Sequence, residues 1–305
     1  MKKLKLDKID LKKLVTLNII LTIFLGSVLG IQFRIPPFDI FKDNVLKPLF
    51  KPSIVKKDKE MDLRIDNFWK NIQNKNYNID YYGGVDWKKY IFWAEEVKKG
   101  GYILLFRHGE REKWHEALGG FDAYELYNKL DARDYKWYRA VCLTDRGIET
   151  VKNTGRAFKH AGIKVQKVIS SPSCRARETA YYSFGRIDEI HSALLHKTGV
   201  HPLDRDKFAK DLRSTILNFN LDSDKNLVLS AHNSVIDYEG LIDEFNVPID
   251  LEETGFYIIE KVGNKLITRF SFYKSSEFNM LMYRLSPQKK VCPNPSNPSI
   301  GCKSM

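Results

Sequence analysis

Beyond residue 101 the chain alternates short apolar runs with amphipathic stretches, and this rhythm restricts the possible folds more than any other feature. Tyr102-Ile103-Leu104-Leu105-Phe106 offers no polar residue to either face of a pleat, so a strand there is buried on both sides. Thr144 is placed to cap a helix running to 161, with Ile148, Val151, Phe158 and Ala161 on one face and Gly162 as the stop. Residues 165–170 read as a second strand. Ser171-Pro172 then supply the N-cap and first residue of a helix reaching 184. A third strand over 187–192, a helix over 204–219 and a fourth strand over 227–230 follow, then a helix over 234–245. The pattern closes with a hairpin, 256–261 and 266–273, about Gly263-Asn264, and a last helix over 275–285. Alternation of this kind predicts an α/β three-layer sandwich with a mostly parallel central sheet. In such folds the working residues gather at the carboxyl ends of the strands.

The segment before this domain has a different character. Residues 14–33 carry no charge, and at ~1.5 Å per residue such a helix spans the ~30 Å hydrocarbon core of a bilayer. Six lysines and two aspartates precede it, which orients residues 1–13 to the cytoplasm and exports everything after Arg34. The expectation is one N-terminal transmembrane signal-anchor, with the domain on the periplasmic or extracytoplasmic side of the cell membrane. The competing reading is a cleaved signal peptide, for which the run is long and lacks a good small-x-small site. Residues 34–100 read as a tether and helical extension, with Asp86-Trp87-Lys88-Lys89-Tyr90-Ile91-Phe92-Trp93-Ala94 in a helix that Gly100-Gly101 ends. Residues 101–285 form the main domain, and 286–305 a Pro/Cys tail in which Cys292 and Cys302 flank a loop that a disulfide would order. Cys142 and Cys174 are either a second pair or two small buried residues.

Charge follows the same division. The net +12 places +7 in residues 1–60 and +3 in the tail, leaving residues 61–285 at only +2. No basic run with interleaved aromatics and no zinc-finger spacing occurs there, which disfavours a nucleic-acid partner.

Three predicted strands end in chemically capable residues. The first ends in Arg107-His108-Gly109-Glu110-Arg111, the second in Ser170-Ser171-Pro172-Ser173-Cys174-Arg175, the fourth in Ser230-Ala231-His232-Asn233. Together with Leu143-Thr144-x-x-Gly147 and Thr179-Ala180, these motifs resemble, in order, those of the histidine phosphatase superfamily. That superfamily includes cofactor-dependent phosphoglycerate mutases and histidine acid phosphatases. The resemblance covers about 102–245 and implies the following roles. His108 attacks phosphorus, so one hard displacement becomes two easier ones through a phosphohistidine. Arg107 and Arg175 hold the phosphoryl oxygens through charge-assisted hydrogen bonds. His232 donates to the same group as negative charge develops. Arg111 is either a further phosphate contact or a solvated charge at the base of an insertion. No cofactor or metal is implied.

The general acid is where the chain departs from the family. The acid-phosphatase branch has Asp directly after the late histidine, and here Asn233 stands there with no titratable proton. The mutase-like branch draws a Glu from the stretch after Ser-Ser-Pro, which here offers Asp188, Glu189 and His196. Glu110 is ranked first and Glu189 second. Residues 112–141, rich in Trp and Tyr, are either a cap over the site or a helical excursion packed on the sheet.

The combined expectation is a membrane-anchored, exported phosphoric monoester hydrolase acting on a small-molecule, lipid or sugar phosphate ester. The alternatives are a phospho-ligand binder on the same fold that has lost catalysis, and a phosphohistidine-protein phosphatase.

Overall fold

The computed structural model describes residues 59–71, 87–112, 142–196, 204–247 and 250–285. All of them fall in the compact unit Val55–Met305. The expected flank, anchor and tether over 1–58, most of the aromatic insertion and the Pro/Cys tail lie outside the described residues. Among the described residues no helix is long and apolar enough to cross a membrane.

Helix α1 (Lys59–Asn71) and helix α2 (Trp87–Lys99) lead into strand β1 (Ile103–Arg107). Then come α3 (Asp145–His160), β2 (Val165–Ser170), α4 (Cys174–Phe184) and the two-residue β3 (Glu189–Ile190). Helix α5 (Arg205–Asn218), β4 (Asn226–Ala231), the short β5 (Glu244–Phe245), β6 (Phe256–Val262), β7 (Lys265–Phe272) and α6 (Ser275–Leu285) complete the order. The fold is α/β, around a mixed seven-stranded sheet of order β3-β2-β4-β1-β6-β7-β5. β1, β2, β3 and β4 are mutually parallel, and β6 runs antiparallel to β1 and to β7.

Period-two alternation within the buried strands supplies two cores. Leu104, Phe106, Val168, Val228 and Ile258 face one side, with Trp93, Phe158, Ala180 and Phe278 from α2, α3, α4 and α6. Ile103, Leu105, Ile169, Leu229 and Ile259 face the other, with Leu212 and Ile216 from α5. The chain steps outward from β1 to β2 and β3 through α3 and α4, then returns through α5 to insert β4 between β2 and β1. Right-handed crossovers require outward and return connections to use opposite faces, so both faces are covered.

Two expectations need correction. The helix predicted over 234–245 is instead a 3₁₀ turn, Asn233–Val235, followed by turns and β5. The apolar positions that suggested a helical stripe, Val235, Ile236, Tyr238, Leu241 and Ile242, are indeed buried. However, Gly240 takes a left-handed φ of 78°, and Asp243 pairs with Arg213 at 2.8 Å while accepting from the Leu266 amide at 2.7 Å. Those tertiary contacts draw the segment to the sheet edge. The strand predicted over 187–192 shrinks to two residues, followed by a 3₁₀ turn Ser192–Leu194.

Candidate active site

Adjacent parallel strands bring the three strand ends together. Arg107 lies in register with Ala231 and Ser170 with Ser230, so the residues that follow, His108, Ser171 and His232, emerge side by side. The backbone continues the ladder past the strands: the His108 amide donates to Ala231 O at 3.0 Å and the Ser171 amide to Ser230 O at 2.8 Å. On its other side the His108 carbonyl accepts from the Thr254 amide at 3.0 Å. The loop carrying His108 is thus held on both sides, by the end of β4 and by the turn that leads into β6.

Glycines allow helix α3 to close on that loop. A Cβ at Gly147 would lie 2.3 Å from Glu110 O, and one at Gly109 would lie 2.8 Å from Val151 Cγ1. At Gly109, the absent side chain admits α3 rather than a ligand. The Gly109 amide donates to Thr179 Oγ1 at 2.8 Å, tying the loop also to α4.

The protonation pattern of both histidines follows from their partners. His108 Nδ1 lies 2.8 Å from Gly109 O, and a carbonyl only accepts, so Nδ1 carries the proton and Nε2 presents its lone pair. A guanidinium only donates. Arg175 Nη2 at 3.3 Å from His232 Nδ1 therefore places the proton of that ring on Nε2, which donates toward Ser173 Oγ at 3.1 Å and Ser171 Oγ at 3.3 Å. The two rings meet edge to face, centroids 5.2 Å apart. Burial, reinforced by Arg175, Arg107 and Arg111, pushes His108 well below the ordinary histidine pKa, against the opposing hydrogen bond to Gly109. Burial, then Arg175, His108, His196 and Arg111, does the same to His232. Both are neutral imidazoles in a strongly positive pocket.

Helix α4 starts later than expected. Its N-cap is Ser173 rather than Ser171, and the Ser173 hydroxyl makes no capping bond. The reason is competition: Ser173 Oγ is engaged by His232, and Ser171 Oγ accepts from the Ser173 amide at 3.3 Å. Arg175, in the first turn, is 1% exposed. A disulfide joins Cys174 to Cys142, and Glu178 Oε2 accepts from the Leu143 amide at 2.7 Å. The residues at the end of the insertion are thereby fastened to the start of α4. Cys142, Cys174 and Glu178 are also the one metal-compatible grouping among the described residues, but its two sulfurs are bonded to each other.

The other predicted residues are less central. Arg107 donates from Nη1 to Leu251 O. Arg111 donates to Glu112 O at 2.9 Å while contributing positive potential at both histidines. Glu110 turns its carboxylate to the start of α3, accepting from Thr144 Oγ1 at 3.4 Å and pairing with Arg146 at 3.4 Å. Glu189 sits on the edge strand, separated from β1 by β2 and β4, and pairs with Lys167 at 2.6 Å. The structure does not bring it to His108. Asn233 donates its amide to Leu251 O at 3.0 Å and Asp250 at 3.3 Å. Ser171 and Ser173 as partners of His232 are not evident from sequence. Neither is Thr254, held at φ 71° with its hydroxyl accepting from Ser275 Oγ at 2.7 Å.

Residues 103–192 match the family model described as histidine phosphatase superfamily (branch 1), and that segment belongs to the superfamily. The matched segment carries His108 and Arg175, and the structure adds His232 from beyond it. No curated protein matches the sequence. Among solved structures, the chain is similar to the protein histidine phosphatase SixA complexed with tungstate, at 13% identity and TM-score 0.39, over 56% of this chain and 96% of that one. It is also similar to mycobacterial glucosyl-3-phosphoglycerate phosphatase (13%, TM-score 0.38, 56% and 96%). A third is a phosphoserine phosphatase mutant from Entamoeba histolytica in complex with phosphoserine (15%, TM-score 0.38, 58% and 98%).

Proposed function

We propose that this protein is a phosphatase that hydrolyses phosphomonoesters through a phosphohistidine on His108. The observation that carries the reading is the His108 ring itself: Nδ1–H is fixed on Gly109 O, leaving the Nε2 lone pair of a neutral imidazole beside the buried Arg175 and His232. Arg175 and Arg107, with Arg111 at the rim, bind the phosphoryl oxygens and offset the charge that builds as Nε2 attacks. The same charge redirects the hydrogen bond donated by His232 Nε2–H from the serine hydroxyls to a phosphoryl oxygen. Water then hydrolyses the phosphohistidine.

The test is release of phosphate from p-nitrophenyl phosphate, with acid-labile phosphate trapped on the wild-type chain. His108→Ala should abolish both signals. Hydrolysis that persists in that variant would refute the reading, and phosphate binding without turnover in the wild type would favour a non-catalytic binder.

The lysine-flanked apolar run at 14–33 would hold this domain outside the cytoplasm as a signal-anchor. The Cys142–Cys174 disulfide supports export, since such bonds persist in oxidising compartments. The substrate class is a small-molecule, lipid or sugar phosphate ester. Protease accessibility of the domain in intact cells against permeabilised cells tests the topology.

A further inference from the structure

We propose that His196 is the general acid that protonates the leaving oxygen. This rests on the phosphohistidine reading above and supplies its missing proton donor. The carboxylates expected for the task are committed elsewhere: Glu110 to Thr144 and Arg146, Glu189 to Lys167 three strands from β1. Asp188 accepts from the Val168 amide at 2.8 Å and pairs with Arg186 at 3.2 Å. Asn233 has no proton to titrate.

His196 is delivered to the site by the fold. After β3, the 3₁₀ turn Ser192–Leu194 doubles the chain back, and Leu194 and Leu195 insert fully into the core. The Tyr238 hydroxyl donates to Leu195 O at 3.3 Å and fixes the next residue. The His196 ring then meets His232 edge on, centroids 5.4 Å apart. His108, His232 and His196 thus form a row with His232 in the middle. The two buried members are held neutral, whereas His196 is half-buried and retains access to solvent protons.

The step balances as follows. The Nε2 lone pair of His108 forms the N–P bond while the P–O ester bond breaks, its electron pair passing to the leaving oxygen. That oxygen takes a proton from the His196 imidazolium and departs as an alcohol. Water next attacks phosphorus and gives a proton back to His196, and the N–P electron pair returns to His108. Ester and water become alcohol and phosphate.

Leaving-group dependence tests this with the full chain. An alkoxide needs the proton, whereas p-nitrophenolate departs without it. His196→Ala should lower kcat/KM on an alkyl phosphate such as ethyl phosphate by roughly 10²–10⁴-fold and leave kcat/KM on p-nitrophenyl phosphate within a few-fold of wild type, since this ratio ends at departure of the leaving group and omits the later hydrolysis. The retained aryl rate also certifies folding. His196→Glu should recover part of the alkyl rate, and His196→Gln should not. An equal loss on both substrates, no loss on either, or the selective loss appearing in Glu110→Gln instead would overturn the assignment. If wild type is inert to both esters, the phosphatase reading itself falls, a result distinct from all of these.

Discussion

Arg175 shows how much at this site depends on the geometry of one side chain. Its guanidinium is buried, reaches His232 Nδ1 at 3.3 Å and depresses the pKa of both histidines. Lysine preserves the charge but not the planar fork, so Arg175→Lys should reduce kcat/KM on p-nitrophenyl phosphate by roughly 10²–10³-fold. Steady-state kinetics beside an unchanged melting temperature would separate this from misfolding. The two histidines also set an acid limit on stability. Their folded-state pKa values lie below the ordinary 6.5, so below that pH the unfolded chain binds protons that the native chain refuses. Stability is therefore full above about pH 6.5 and should fall as pH drops beneath it, by up to roughly 1.4 kcal/mol per pH unit for each ring. Urea titrations at pH 7.5, 6.0 and 5.0 check the direction, and His232→Gln should flatten the dependence. At this scale much was legible: His108, Arg175 and His232 follow predicted strands and do converge, whereas Arg107 turns its Nη1 to Leu251 O. The serine partners were not, because a hydroxyl in a Ser-x-Ser stretch reads as a helix cap until a histidine from a distant strand competes for it.

Among the elements, α4 is the most constrained. Its first turn holds Arg175, its Thr179 holds the loop that carries His108, and its Cys174 is bonded to Cys142. Replacing the disulfide by Cys142→Ser and Cys174→Ser should cost about 2–4 kcal/mol of stability. On the proposed reading it should also raise KM more than it lowers kcat, since Cys142 then loses its tie to the first turn of α4 next to Arg175. Calorimetry and kinetics on oxidised, reduced and double-serine protein measure both effects. Long periodic elements such as α3, α5 and α6 were readable within a residue or two. The segment after β4 was not, because its buried apolar spacing fits a helix, and only Arg213 and the Leu266 amide, remote in sequence, decide otherwise.

Across the whole molecule, the core extends upstream of the family match. Helix α2 buries Ile91, Phe92, Trp93 and Val97 against the sheet helices, stacking Trp93 on Phe270. Arg64 of α1 bonds Glu96 at 3.1 Å, the Tyr102 hydroxyl at 3.0 Å and Glu260 at 3.3 Å, joining α1 to α2, to the residue before β1 and to β6. Trp93→Ala should therefore lose about 3–5 kcal/mol, although the residue is far along the chain from the site motifs. A chemical-denaturation midpoint close to wild type would show that the extension is dispensable.

Strand β4 is the last made of the four parallel strands β1 to β4, and it lies between two made long before it. Until Asn226–Ala231 is available, β1 and β2 have no common neighbour, and the histidine row lacks its middle member. Closing loops this long is slow, so the site comes into being late, together with the sheet. A chain still being synthesised therefore lacks the assembled row of histidines until its sheet is nearly whole.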